Sequence, residues 1–298
     1  MSHLFYGFRE RVKRMGSVGI SLVEAFDEEA LLALAEAESE GFALPFLVGD
    51  PDKIERAIES SGARLQNPVI VEAQGPLESA RAGTRLVREG TCRILMKGKI
   101  GTGSLMKAVL DREEGLRTGR ILSHVACLEV PGYDRFIFVT DGGVVLRPDL
   151  PKKAEIVSNA IDVARLMGVE TPRVAVLAPS EVPNPDSEAS VHAVELARMS
   201  REGRFPGAFV EGPMALDAAV SPEAASIKGM TGQVPGRADV LVAPDVVSGN
   251  SIAKSMQYFA RAVMGGVIVG AAAPVVVISR ADTAQVKLNS IAMARALI

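Results

Sequence analysis

VGISLVEAFDEEALLALAEAESEGFALPFLVGDP, residues 18–51, is the stretch on which the fold is decided. Val18 to Val23 is a short apolar run, the pattern of a strand covered on both faces in a parallel sheet. Asp27 is placed to cap the Ala/Leu/Glu-rich helix that follows and stops near Gly41. Pro45 to Val48 is a second strand, running into the turn Gly49-Asp50-Pro51. Strand, helix and strand at this spacing form one βαβ unit. The rhythm continues without a linker through a helix at Ile54 to Ser60, a strand at Val69 to Val71, a helix at Leu77 to Arg88 and a strand at Ile94 to Met96.

Further along, Arg112 to Arg120 is rich in charge and glycine, and His124 to Val139 holds two strand-like runs parted by Pro131-Gly132. A hairpin there opens a second domain. The alternation resumes at Pro151, with Ile156, Val157, Ala160, Ile161, Ala164 and Met167 on one helical face, Gly168 as the stop, and Val174 to Leu177 as a strand. A helix at Ser187 to Arg201 and strands at Ala208 to Val210 and Val240 to Val242 follow. The last segment, Gly266 to Ile298, reads as strand, turn, strand and closing helix, and is expected to return to the first domain. The class is α/β, with mainly parallel sheets flanked by helices.

The 298 residues are 48% hydrophobic, enough to bury a large core and to exclude disorder. Lys+Arg 33 against Asp+Glu 36 gives a net charge of −3, with no positive field for nucleic acid or an acidic membrane. Two cysteines, Cys92 and Cys127, are too few for a disulfide framework, which fits a reducing cytoplasm. The first twenty residues carry Arg9, Arg11, Lys13 and Arg14 without a signal-length apolar run and read as a surface helix. The membrane-like stretch Ala262 to Ile278 is broken by Gly265, Gly266, Gly270 and Pro274, so it is expected to be two buried strands and a turn.

In open parallel sheets ligands collect beyond the carboxyl ends of strands, where helix amino termini offer free N–H groups. Three such places carry polar residues. After the strand Ile94 to Met96 comes Lys97-Gly98-Lys99-Ile100-Gly101-Thr102-Gly103-Ser104, whose glycines, hydroxyls and lysine suit an anion, although the spacing matches neither the dinucleotide fingerprint nor the P-loop. After Val240 to Val242 comes Pro244-Asp245, then Ser248-Gly249-Asn250. Ser248 or Asn250 is expected to cap a helix with Ile252, Met256, Phe259, Ala260 and Val263 as its apolar stripe, leaving Asp245 available to hold a donor or accept a proton. At the end of Val275 to Ile278, Ser279 and Arg280 present a hydroxyl and a planar guanidinium suited to phosphate. Asp282 with Gln285 has the spacing of a capping box for the last helix. His3, His124 and His192 lack zinc-ligand spacing, no CxxC occurs, and a cysteine nucleophile has few activating neighbours. No metal site is expected.

Taken in order, the chain resembles the phosphate acetyltransferase and phosphate butyryltransferase family. The resemblance rests on Phe46-Leu47-Val48-Gly49-Asp50, on Leu95-Met96-Lys97-Gly98 with Thr102 and Leu105-Met106-Lys107, and on Thr140-Asp141-Gly142-Gly143. It continues through Glu211-Gly212-Pro213-Met214 with Asp217, Gly236-Arg237-Ala238-Asp239-Val240-Leu241-Val242, Pro244-Asp245, Ser248-Gly249-Asn250 and Ser279-Arg280. The Met96-Lys97-Gly98 piece leans toward the butyryltransferase branch.

The resemblance implies reversible transfer of a short acyl group, butyryl or acetyl, between coenzyme A and inorganic phosphate, with coenzyme A as a substrate and no tightly bound cofactor. It implies a homodimer or larger homo-oligomer, and an isocitrate/isopropylmalate dehydrogenase-like fold of two domains, 1–117 with 268–298 and 118–267, with an interdomain cleft. It places Ser279 and Arg280 at the reaction centre with Asp245, and Lys97, Thr102, Ser104, Ser248, Gly249 and Asn250 in substrate binding. One departure stands out: the acetyltransferases have an aspartate seven residues after the serine, and this chain has Val286. That leaves Asp282, Asp245 or phosphate itself as the proton acceptor. It also motivates an alternative, a non-catalytic acyl-CoA sensor. A metal- and nicotinamide-dependent decarboxylating dehydrogenase is the other alternative on fold, though no acidic cluster for its metal is evident.

Overall fold

The computed structural model describes residues 3–298, which divide into two compact units: unit 1 runs through Arg120 and resumes at Met264–Ile298, and unit 2 is Ile121–Val263. In chain order unit 1 begins with α1 (His3–Lys13), β1 (Val18–Val23), α2 (Glu28–Ser39), β2 (Ala43–Gly49), α3 (Pro51–Ser61), β3 (Val69–Glu72), α4 (Gly75–Arg88), β4 (Ile94–Lys97) and α5 (Thr102–Val109). Unit 2 holds β5 (Ser123–Glu129), β6 (Phe136–Thr140), α6 (Leu150–Leu166), β7 (Arg173–Leu177), α7 (Glu188–Arg201), β8 (Phe209–Met214), α8 (Leu216–Val220), α9 (Pro222–Ile227), β9 (Val240–Val242) and α10 (Val246–Tyr258). The chain then returns to unit 1 with β10 (Val263–Val269), β11 (Val275–Val276) and α11 (Ala284–Ala296).

Strand order in unit 1 is β3-β2-β1-β4-β11-β10, parallel throughout except for the β10–β11 pair. The apolar runs of β1 and β4 are buried, with α4 packed on β1, β2 and β4. Asp27 caps α2 as expected, its carboxylate accepting from the Ala30 N–H. Chain connections from β1 and β4 diverge at this point in the sheet, which makes the carboxyl ends of these two adjacent strands its topological switch point.

The returning segment differs from expectation in two respects. Only Val275 and Val276 join the ladder, beside Leu95 and Met96, and Val277 is half-buried. The capping box does not form: α11 starts one residue later, with Thr283 at the N-cap and no side-chain capping bond, while the Glu29 carboxylate of α2 receives the Ala284 N–H. Asp282 lies just before the cap, buried. Every residue from Val286 through Ala296 is buried, and the polar ones are satisfied inside. Asn289 donates to the Met264 carbonyl, Ser290 bridges the Val286 carbonyl and the Gly266 N–H, and Arg295 donates to the Gly16 carbonyl.

Unit 2 has the order β5-β6-β9-β7-β8, with β5 and β6 forming the expected antiparallel hairpin and the other neighbours parallel. Strand β8 begins at Phe209 rather than Ala208 and extends to Met214. In α10 the expected cap moves: Asp245 is the N-cap, its carboxylate accepting from the Ser248 N–H, so Ser248 and Asn250 lie inside the first turn. The expected apolar stripe is not a buried face either, because Ile252 and Met256 are half-buried and Phe259 is 88% exposed. No helix among the described residues is long and apolar enough to cross a membrane.

Candidate functional site

At the switch point of unit 1, β4 ends in Lys97, whose side chain is only 7% exposed. The loop then turns back against β1: Gly98 and Lys99 donate backbone N–H groups to the carbonyls of Val23 and Glu24, both at 2.8 Å. Only glycine fits at 98, since an added Cβ would lie 2.3 Å from the Glu24 carbonyl oxygen. This close approach delivers the chain to Gly101, which starts α5 without any side-chain cap. The exposed Thr102, Gly103 and Ser104 occupy its first turn, where N–H groups at a helix amino terminus favour an anion.

Three cations act at this end of the sheet. Burial holds the Lys97 ammonium below its usual pKa range, and the neighbouring charges of Arg280 and Lys287 push the same way, while Asp27 opposes them. Arg280 is exposed beside Ser279 at the end of the returning strand, and the Ser279 hydroxyl accepts from the Ala281 N–H. Lys287, 1% exposed on α11, donates to Asp27 Oδ1 at 2.8 Å. Lys287 was not among the expected site residues. Its one legible signal is its position, eight residues after Ser279 and next to Val286, and its surroundings in α11 read as those of an ordinary partly exposed helix.

Unit 2 has its own polar strand end, where the loops after β6 and β9 meet. Asp141 is buried and gathers the Gly143, Val144 and Val145 N–H groups at 2.8, 3.0 and 2.9 Å, which organises the Thr140-Asp141-Gly142-Gly143 turn. The first turn of α10 lies directly on that turn: a Cβ on Gly249 would be 2.4 Å from the Asp141 carbonyl oxygen, and Asn250 donates to the Gly142 carbonyl at 3.1 Å. Asp245 is half-buried, and its bond from the Ser248 N–H keeps the carboxyl below the ordinary carboxylate range. Lys153 of α6, 2% exposed, donates to the Pro244 carbonyl at 2.9 Å and so fixes the approach to the cap.

The expected residues thus fall into two groups. Lys97, Thr102, Ser104, Ser279 and Arg280 stand on unit 1. Asp245, Ser248, Gly249 and Asn250 stand together on unit 2, where each of the four also has a structural task in docking α10 or building its first turn. Both cysteines are buried, with the Cys92 thiol pushed up to about 12 and the Cys127 thiol raised by the same desolvation, so neither presents a thiolate. Among the described residues no group of three or more His, Cys, Asp and Glu is placed to hold a metal ion.

Comparison with known proteins bears on the same residues. The family model described as "Phosphate acetyl/butaryl transferase" matches residues 71–295. The phosphate butyryltransferase of Clostridium beijerinckii is 38% identical over 99% of this chain and 97% of its own length. The phosphate acetyltransferase of Thermotoga maritima is 38% identical over 92% of this chain and 93% of its own. Among solved structures, a branched-chain phosphotransacylase from Enterococcus faecalis superposes with a TM-score of 0.82 at 31% identity, covering 94% of this chain and 99% of that one.

Proposed function

The chain belongs to the phosphate acetyl/butaryl transferase family, and from that premise we propose that it catalyses reversible transfer of a short acyl group between coenzyme A and inorganic phosphate. The observation that carries the reading is the cationic strand end of unit 1, where Lys97 and Arg280 act on one another beside the uncapped amino terminus of α5. Such a place suits a phosphate or acyl phosphate dianion.

In the reaction, the sulfur of coenzyme A attacks the carbonyl of the acyl phosphate and negative charge builds on its oxygen. Ser279 and the α5 N–H groups stabilise that oxygen, and the Arg280 guanidinium neutralises the departing phosphate. Thr102 and Ser104 hold phosphate oxygens. On unit 2, Ser248, Gly249 and Asn250 contribute to binding coenzyme A, and Asp245 acts by fixing the turn that presents them. Holding two substrates in a reactive orientation supplies much of the rate.

The two units are the proposed functional domains, 1–117 with 268–298 and 118–267, in an isocitrate/isopropylmalate dehydrogenase-like layout. What supports that layout is a mainly parallel strand order in each unit and a final strand that pairs with β4. A homodimer or larger homo-oligomer is also proposed, supported by Val247, Tyr258 and Phe259 of the α10 segment, exposed by 71%, 62% and 88%.

The test is release of free thiol from acetyl-, butyryl- and branched acyl-CoA with and without phosphate, together with the reverse reaction. Phosphate-dependent release is expected, and the rates across the acyl series identify the preferred chain. Tight acyl-CoA binding with no thiol release would instead favour a sensor, the reading that buried Val286 leaves in play.

A further inference from the structure

We propose that Lys97 is the proton-transfer residue of this site: when acyl-CoA is formed, its amine takes the thiol proton of coenzyme A and passes it to the departing phosphate. The inference rests on the acyltransferase reading and deepens it. Val286, where the resemblance leads one to expect an aspartate, is buried and without a proton to exchange. Asp245, the expected acid of unit 2, is held ionised by its cap and is a correspondingly weak base.

Lys97 has the surroundings that such a role needs. Among the described residues its ammonium makes a single hydrogen bond, to the Gly98 carbonyl at 3.3 Å, and no carboxylate stands within ion-pair distance. The charged groups around it come from four elements. Arg280, beyond β11, and Lys287, on α11, both disfavour its charge. Asp27, ahead of α2, favours it, but Asp27 Oδ1 is engaged by Lys287 at 2.8 Å and by the Ala30 N–H at 3.0 Å. Glu24 follows Val23, the residue of β1 in register with Lys97, and accepts instead from the Ser79 hydroxyl at 2.5 Å. The amine is therefore desolvated and flanked by cations, both of which favour its neutral, proton-accepting form. It also stands at the strand end beside α5, where the phosphate is proposed to bind.

The step balances without any redox partner. The S–H bond breaks and an N–H bond forms on Lys97, while sulfur bonds to the acyl carbon. The carbon–oxygen bond to phosphate then breaks, and its electron pair stays on the phosphate oxygen. That oxygen takes the proton from Lys97, leaving hydrogen phosphate and a neutral amine. In reverse, neutral Lys97 takes the proton of hydrogen phosphate as the phosphate oxygen attacks the thioester, and the ammonium so formed protonates the departing thiolate.

Acyl-CoA formation and acyl phosphate formation therefore both start from neutral Lys97, and both speed up as pH rises through its lowered pKa. Steady-state kinetics of the full-length protein in both directions read this out. Lys97→Arg keeps the charge but does not release it, and is expected to lose about 10²-fold or more of kcat in both directions, with a nearly unchanged KM for phosphate and without the rising limb. Lys97→Ala is expected to regain rate with added methylamine. Wild-type kcat and a retained rising limb in Lys97→Arg would overturn the proposal. If that variant does not fold by circular dichroism, the wild-type profiles decide: a rate that fails to rise with pH in either direction overturns it. Absence of any acyl transfer by the wild type would sink the acyltransferase reading itself, whereas an active wild type with an unaffected Lys97→Arg removes only the proton transfer.

Discussion

Arg280 and Lys287 belong to the same returning segment and hold their charges in opposite ways. Arg280 is exposed, so Arg280→Ala is expected to fold normally and to lose about 10²-fold or more in turnover by removing the donor proposed to act on developing charge. Steady-state kinetics with varied phosphate check this, and a wild-type kcat with unchanged phosphate dependence would take Arg280 out of the site. Lys287 is buried against Asp27, so Lys287→Met strands a carboxylate and should cost about 3–5 kcal/mol of stability in urea titration. The double change Asp27→Asn with Lys287→Met should cost less, because no unpaired charge is left behind. Ser279 and Arg280 were legible in the sequence because a polar pair at the end of an apolar run has few structural excuses. Lys287 was not, because nothing in Val286-Lys287-Leu288-Asn289-Ser290 announces a helix buried on all sides.

At the scale of the element, the question is why α10 begins where it does. A first-turn reading favours Ser248 or Asn250 as the cap, yet Asp245, immediately before the helix, accepts the Ser248 N–H at 2.8 Å. Asp245→Ala is expected to lower stability by about 1 kcal/mol and Asp245→Asn by much less, since asparagine caps as well as aspartate. Thermal melts of the two variants separate capping from charge. The sign of the pH effect follows from the lowered carboxyl: its contribution is present at neutral pH and is lost as the pH falls through its folded value, below the ordinary 3.8. Asp245→Asn should accordingly show a shallower loss of thermal midpoint in acid than the wild type. Gly249→Ala meets the Asp141 carbonyl oxygen at 2.4 Å and should cost about 1–3 kcal/mol while displacing Asn250, with coenzyme A kinetics affected together with stability. Strands such as β1 and β9 lie at the residues read from the sequence, because an all-apolar run has a single use in a covered parallel sheet. Caps were less legible, because several polar residues compete for one end and tertiary contacts choose among them. Glu29 shows this, reaching from α2 to accept from the Ala284 N–H at the start of α11.

For the whole molecule, the governing fact is that unit 1 is made of two stretches with unit 2 between them. The later stretch supplies the strand beside β4 and the helix that covers α1 and α2. A chain cut after Gly270 would expose the edge of β4 and the apolar faces of Phe5, Phe8 and Leu34, and is expected to be insoluble or to lack cooperative melting by circular dichroism. Arg295 adds to the closure by donating to the Gly16 carbonyl near the start of the chain. During synthesis this order has a kinetic consequence. Unit 2 emerges from the ribosome complete while unit 1 still lacks β10, β11 and α11, and Arg280 and Lys287 arrive only with that later stretch. A polypeptide that stops short of that stretch holds Lys97 and the first turn of α5 but lacks the guanidinium beside them, so the cationic strand end comes together only when the returning strand pairs with β4.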